Sequence, residues 1–161
     1  MTGLDSFAAA VQHSSFGEWA AATPLVYPVA NTLHLLGLVM LVGGIGIVDL
    51  RLAGLFRGLP VAPLSRALTP IALMGLALLI PTGATMFAAD PQTLVHSPIF
   101  RWKLTLILIA VTNALAFRVL LGRRMEAWRQ QPPAAARVMA VGSIGLWLSV
   151  AALGRWIAYG S

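Results

Sequence analysis

The chain has 161 residues, of which 58% are hydrophobic and only 10% are charged, and its mean hydropathy is +0.83. A soluble globular domain is about a quarter charged, so this chain cannot cover a water-exposed surface, and the lipid bilayer is its expected partner. The net charge of +6 does not indicate nucleic-acid binding, because the basic residues cluster in short loops beside apolar stretches. The absence of cysteine excludes disulfides and thiolate metal sites.

The first two dozen residues are more polar than the rest of the chain. Leu4, Phe7, Ala8 and Val11 recur at helical spacing with polar residues between them. This pattern predicts a short helix that lies at the membrane interface. A loop with a few helical turns is the alternative.

Four apolar stretches follow, each long enough for the roughly 20 residues that a spanning helix requires. They cover residues 29–55, 68–89, 99–121 and 135–159, and proline and glycine separate them. Their continuous apolar character lacks the alternation of barrel strands. The sequence therefore predicts an all-α fold in one domain, residues 1–161: a four-helix transmembrane bundle with a short N-terminal interfacial helix.

Arginine and lysine are distributed unevenly between the two sides of this bundle. One side holds Arg101, Lys103 and Arg155. The first and third connections, with their flanks, hold the other eight: Arg51, Arg57, Arg66, Arg118, Arg123, Arg124, Arg129 and Arg137. Because basic loops stay in the cytoplasm, this bias predicts that the first and third connections are cytoplasmic and that both termini are periplasmic.

Three ionisable residues are predicted to share a depth in the outer half of the bilayer. His34 lies in the apolar run NTLHLLGLVMLVGGIGIVDLRL, roughly 9 Å from the outer end of the first span. Lys103 and Arg155 lie at similar depth on the third and fourth spans. Ionisable groups inside spans usually mark a function, so these side chains form a candidate site. Snorkelling is the alternative for Lys103 and Arg155, and packing against a carbonyl or threonine is the alternative for His34.

Helical spacing also predicts which faces of these spans point inward. His34 shares a stripe of the first span with Ala30, Gly37, Leu41 and Gly44, whose small members would let a helix or a flat ligand come close. Lys103 shares a face of the third span with Asn113, which is predicted to form an interhelical hydrogen bond.

A second polar layer lies near the cytoplasmic ends of the spans. Asp49 and Arg51 close the first span, and Arg118 closes the third. Opposite charges at matching depth predict a structural ion pair between Asp49 and either Arg118 or Arg51.

The segments YPVANTLHLLGLVMLVGGIGIVDLRLAG, TGATMFAADP, SPIFRWKLTLILIAVTNALAFR and GRWIAY resemble a family of small bacterial inner-membrane proteins of unknown function. The most specific part is the Asp-Leu-Arg-Leu motif at residues 49–52, after the helix that carries His34.

A more distant similarity is to the membrane protoporphyrinogen oxidase family and the copper-resistance D family. In the oxidase family an early helix carries a His and a later helix opens with Lys-Leu, and the matching positions here are His34 and Lys103-Leu104. This resemblance implies a four-helix bundle with b-type haem, although the chain lacks a second intramembrane histidine.

Three functions remain open at this point. The first is a haem b protein that transfers electrons or oxidises a lipid-soluble substrate, with His34 as an iron ligand and Met86 as a candidate second ligand. Its propionates would be held by three cations: Arg101, Lys103 and Arg155. The second is a copper or small-solute transporter, and the third is a non-catalytic accessory subunit that joins other membrane subunits or a second copy. No hydrolase triad, phosphate loop or zinc motif occurs in the sequence, so no enzyme class is predicted.

Overall fold

The computed structural model describes residues 3–128 and 131–157, and helices account for all the regular structure in these ranges. The elements in chain order are α1 Gly3–Gln12, α2 Ser15–Ala22, α3 Val26–Ala53, α4 Val61–Ala89, α5 Pro91–His96, α6 Pro98–Leu120, a 3₁₀ helix Gly122–Trp128, and α7 Ala134–Ile157. Four of them, α3, α4, α6 and α7, are long and apolar enough to cross a membrane. The protein is therefore a multi-pass, all-α membrane protein, and the predicted four-helix bundle is confirmed.

The second spanning helix begins earlier than the sequence pattern predicted. We expected residue 68, whereas α4 begins at Val61, directly after Pro60 at the N-cap. Pro63 falls in the first turn, where backbone N–H groups have no helical partner and a proline costs little. The helix also continues through Pro70 and Pro81. Residues 158 and 159, predicted to end the fourth span, lie outside the described residues.

The loop after α3 is held by a buried arginine. Gly54 ends the helix with a φ of +116°, a backbone conformation that favours glycine. The Arg51 side chain is 1% exposed; its Nε donates to the Leu59 carbonyl oxygen at 2.6 Å, and its Nη2 donates to the Arg57 carbonyl oxygen at 3.1 Å. Arg51 therefore ties residues 54–60 to the end of α3.

The tightest helix contact in the bundle is the crossing of α3 and α4. A Cβ added at Gly75 would lie 2.6 Å from the Gly37 carbonyl oxygen and 2.6 Å from the Leu41 backbone nitrogen. One added at Gly44 would lie 2.9 Å from the Leu68 carbonyl oxygen. These contacts join backbone to backbone, so only glycine permits the observed separation of the two helices.

The four spanning helices form an incomplete ring. Helix α3 packs against α4 and α7, and α7 packs against α6, whereas no Cα of α6 lies within 8 Å of a Cα of α3 or α4. The central core joins one or more residues of each helix: Leu41, Ala72, Ala110, Trp147 and Val150. Helix α6 is consequently the least buried of the four, with Ala110 as its one buried residue.

The N-terminal segment forms two helices instead of the single interfacial helix that we predicted. The chain breaks after Gln12 because Ser14 caps the second helix, its hydroxyl accepting from the Gly17 N–H at 3.1 Å. Helix α1 packs against α5, and α2 packs against α4, at one end of the bundle. We call the end formed by α1, α2 and α5 the N-terminal face, and the end formed by residues 54–60 and the 3₁₀ helix the arginine-rich face.

Aromatic rings join three helices at the N-terminal face. Phe87 of α4 stacks on Phe100 of α6 with ring centroids 5.7 Å apart, and Phe7 of α1 stacks on Phe87 at 6.3 Å. The His96 Nε2 lies 3.2 Å from the Asp5 Oδ1, so α5 is joined to α1 at the same end. The rings therefore bridge α4 and α6 where their backbones are apart.

Candidate functional site

His34 is half-buried on α3, and its imidazole is bonded to α4. The Nδ1 atom lies 2.9 Å from the Thr82 hydroxyl oxygen. That hydroxyl has one proton, which it donates to the Leu78 carbonyl oxygen 2.7 Å away. Thr82 must then accept from the Nδ1–H of His34, so the lone pair of the neutral imidazole is on Nε2.

The other ring nitrogen of His34, Nε2, lies within hydrogen-bond distance of no described residue. The ring also has the Leu79 carbonyl of α4 as a hydrogen-bonding neighbour. Gly83 adjoins the ring, since a Cβ added there would lie 3.3 Å from the His34 Cε1. Helix α4 therefore holds the imidazole through Thr82 and Gly83, and Nε2 is the atom that can bind a metal or accept a proton.

The small residues that share a stripe of α3 with His34 pack against α4 and do not make room for a flat ligand. Gly37 and Gly44 could have made room for a flat ligand, but the α4 backbone occupies that room. The stripe therefore serves helix packing, and a ligand of His34 cannot approach through it.

Lys103 brings a positive charge into the interior near His34. Its side chain is partly buried, and its Nζ lies against α7, where a Cβ added at Gly154 would be 3.2 Å away. The ammonium group is close enough to the His34 imidazole for a direct electrostatic interaction. That His34 of α3 and Lys103 of α6 form one site stays a prediction, supported by this electrostatic interaction.

The remaining predicted site residues lie at the edge of this region. Arg101 lies on α6, two residues before Lys103, and Arg155 lies on α7, directly after Gly154. Both residues are exposed, whereas His34 and Lys103 are partly buried. Met86 is partly buried on α4, one turn beyond Thr82 and Gly83 toward the N-terminal face.

Sequence reasoning missed three residues of this site: Thr82, Gly83 and Gly154. Thr82 orients the imidazole, whereas Gly83 and Gly154 provide the space beside His34 and Lys103. The available signal was the Pro-Thr-Gly sequence at residues 81–83, an uncommon interruption of a span. The hydroxyl of Thr82 within this sequence would have suggested a hydrogen bond across the bundle.

The predicted ion pair of Asp49 is not formed in the described part of the chain. Among the residues that the structure describes, no arginine nitrogen lies within 4 Å of its carboxylate oxygens. Arg51 donates to loop carbonyls instead, because the turn after α3 brings those oxygens to it. Arg118 lines the same cavity as Asp49 but is exposed to the outside.

Asn113 forms the interhelical hydrogen bond that its position predicted. Its Nδ2 donates to the Met139 carbonyl oxygen of α7 at 3.0 Å. This bond joins α6 to α7 on the side of the bundle toward the arginine-rich face. The described residues contain no group of three or more His, Asp or Glu side chains placed to hold a metal ion.

The comparison with known families assigns the chain to a group defined by sequence. A family model described as a family of unknown function, DUF6644, matches residues 12–160. The chain belongs to the DUF6644 family. No significant match was found among curated proteins or among solved structures.

The DUF6644 match covers nearly the whole chain and includes His34, Asp49 and Lys103. It agrees with the expected resemblance to an uncharacterised family. It gives no support to the more distant similarity to the protoporphyrinogen oxidase and copper-resistance D families. Any cofactor of this DUF6644 member must therefore be argued from its own residues.

Proposed function

We propose that the protein is a b-type haem protein with His34 as an axial ligand of the iron. The observation that carries this proposal is the hydrogen bond from His34 Nδ1 to Thr82. A metal-ligating histidine typically donates its second ring N–H to a fixed acceptor, which sets the tautomer and the ring orientation. A single imidazole fits haem better than a bare ion, because the porphyrin provides four ligands and the protein needs to add only one or two.

The charge around His34 suits an anionic cofactor. The Lys103 ammonium is partly buried between α6 and α7, and burying a lone cation is costly unless a negative group compensates it. A haem propionate would provide that charge through a charge-assisted hydrogen bond. Arg101 and Arg155, exposed toward the N-terminal face, would contact the second propionate at the bundle surface.

The position of α6 favours a ligand on that side of His34. Because no Cα of α6 lies within 8 Å of α3 or α4, the helices there are separated by side chains, which a planar group could displace. Met86 on α4 is the candidate for a second iron ligand, because the Lys103 ammonium is assigned to a propionate. A haem bound here would supply one-electron chemistry, and the role of the chain would be to bind it and exclude water.

The visible absorption spectrum of the purified protein tests this function. The protein should be expressed in haem-replete cells, solubilised in detergent, and recorded in the oxidised and the dithionite-reduced states. We expect a Soret band at near-stoichiometric intensity, with α and β bands that sharpen on reduction. A colourless protein would overturn the haem proposal and leave the accessory-subunit and transporter functions.

We further propose that the protein lies in the bacterial inner membrane with both termini in the periplasm. The support is the eight-to-three arginine and lysine bias toward the arginine-rich face. Alkaline phosphatase and fluorescent-protein fusions within residues 54–60 and after Arg124 should report a cytoplasmic position. A periplasmic report from either connection would contradict this orientation, because both sites lie at the same end of the bundle.

A further inference from the structure

A cavity with a mainly apolar wall lies between the four spanning helices on the side of the arginine-rich face, away from His34. Its volume is about 80 Å³, and its wall includes the hydrocarbon of Ile45, Phe117 and Met139. Helices α4 and α6 both line it, yet no described Cα of α6 lies within 8 Å of a Cα of α4. The two helices therefore leave a gap beside the cavity, through which an apolar chain could extend into the bilayer.

The buried carboxyl group of Asp49 lines this cavity with one oxygen atom free. Asp49 is 6% exposed, and its Oδ2 has no hydrogen-bond partner among the described residues. The Ser143 hydroxyl bonds to the same carboxyl group, and no described arginine or lysine nitrogen lies within 4 Å of it. Because a buried carboxylate without a cation is strongly unfavourable, burial favours the neutral acid, whose proton on Oδ2 is available to donate.

Arg118 supplies a positive charge at the exposed edge of the cavity. It lines the cavity from α6 and forms no salt bridge with a described carboxylate, since Glu126 of the 3₁₀ helix bonds to Arg66 instead. The hydroxyls of Ser65 and Thr69, 3.3 Å apart on α4, line the same cavity. The polar part of the site thus offers hydrogen-bond donors and one positive charge, which suits an anionic oxygen ligand.

We propose that this cavity binds the carboxylate of a long-chain fatty acid, whose acyl chain leaves between α4 and α6. The two carboxylate oxygens would accept charge-assisted hydrogen bonds from the Asp49 Oδ2–H and from the Arg118 guanidinium. The charges balance, because the ligand carries one negative charge, Arg118 carries one positive charge and Asp49 is neutral. Since each water takes about 30 Å³, the cavity has room for a carboxylate but not for a phospholipid head group. The site does not depend on the proposed haem.

Thermal unfolding of the detergent-solubilised protein tests the proposal with three probes at an alkaline pH: sodium oleate, methyl oleate and sodium acetate. Oleate has both the charged head and the tail, whereas methyl oleate lacks the charge and acetate lacks the tail. At about ten times its dissociation constant, oleate should raise the melting temperature by about 4 °C, and the other two should leave it unchanged. No shift with oleate, or an equal shift with methyl oleate, would overturn the proposal.

A matched pair of arginine variants locates the carboxylate in this cavity. Arg118→Gln removes the positive charge at an exposed position, so it should raise the oleate concentration for half-maximal stabilisation by about tenfold or more. Arg124→Gln is the control, because Arg124 is exposed at the same face but does not line the cavity, and it should keep the wild-type value. Equal losses in the two variants would indicate general attraction to a basic surface and would contradict the proposal.

A further variant tests Asp49 as the second ligand. Asp49→Leu keeps a similar shape but removes the O–H donor, so it should weaken oleate binding by about tenfold. An unchanged half-maximal concentration would exclude Asp49 from the site, and Arg118→Gln keeps the test decisive if Asp49→Leu does not fold. A melting temperature that rises with phosphatidylglycerol but not with oleate would indicate a phospholipid and would overturn the proposal.

Discussion

Replacing His34 with alanine is expected to abolish haem binding while the protein still folds. The substitution removes the proposed iron ligand, so the haem should be lost during purification. Folding should survive, because the Thr82 hydroxyl keeps its bond to the Leu78 carbonyl and no buried donor loses its partner. The measurement is haem content per protein, from the Soret and 280 nm absorbances, after size-exclusion chromatography.

Two further substitutions separate ligation from simple packing. Thr82→Val removes the acceptor for the His34 Nδ1–H, and it should weaken haem affinity by about tenfold without abolishing it. His96→Ala is the control, since His96 is exposed and pairs with Asp5 at the N-terminal face, and it should retain full haem content. A His34→Ala protein with its full haem complement would show that the iron ligand is another residue.

Gly75→Ala is expected to cause the largest loss of stability of any single methyl addition in the bundle. The new Cβ would meet the Gly37 carbonyl oxygen and the Leu41 nitrogen at 2.6 Å, and neither backbone atom can rotate away. The helices α3 and α4 would have to separate along their main contact. We expect a destabilisation of about 3 kcal/mol, at the upper end of the usual cost of overpacking. Thermal unfolding in detergent measures it.

Gly43→Ala is the matched control for this effect. Gly43 lies on α3 between Gly37 and Gly44, but a Cβ added there meets nothing within 4 Å. Alanine also has the higher helix propensity, so this variant should be within about 1 kcal/mol of wild type or slightly more stable. If Gly75→Ala and Gly43→Ala unfold at the same temperature, the α3–α4 contact is looser than the structure describes.

The sequence predicted the fold well because hydropathy and length decide which helices can span a bilayer. All four spans were located, but the beginning of α4 was placed too late because Pro60 and Pro63 looked like a break. Proline is compatible with a first helical turn, so composition alone does not give the boundary. The break between α1 and α2 depends on one capping serine, Ser14, whose role appears only when the helix positions are known.

The site could be predicted only in part, for a related reason. Depth along a helix follows from residue counting, so His34 and Lys103 could be placed at a similar depth without coordinates, and their sharing of one site stays a prediction. Contacts across the bundle depend on helix rotation and loop geometry, which counting does not provide. That is why Thr82 was missed as the partner of His34, and why Arg51 was expected beside Asp49 although it bonds to the loop carbonyls.

The order of the helix contacts has a consequence for biosynthesis. Helices α3 and α4 are neighbours in the chain and in space, so the Gly37–Gly75 crossing and the His34–Thr82 bond involve only a hairpin that is translated before α6 and α7. Lys103 belongs to α6, and its position against Gly154 requires α7. The imidazole can therefore be oriented before α6 and α7 are inserted, whereas Lys103 reaches its place only after α7 has followed.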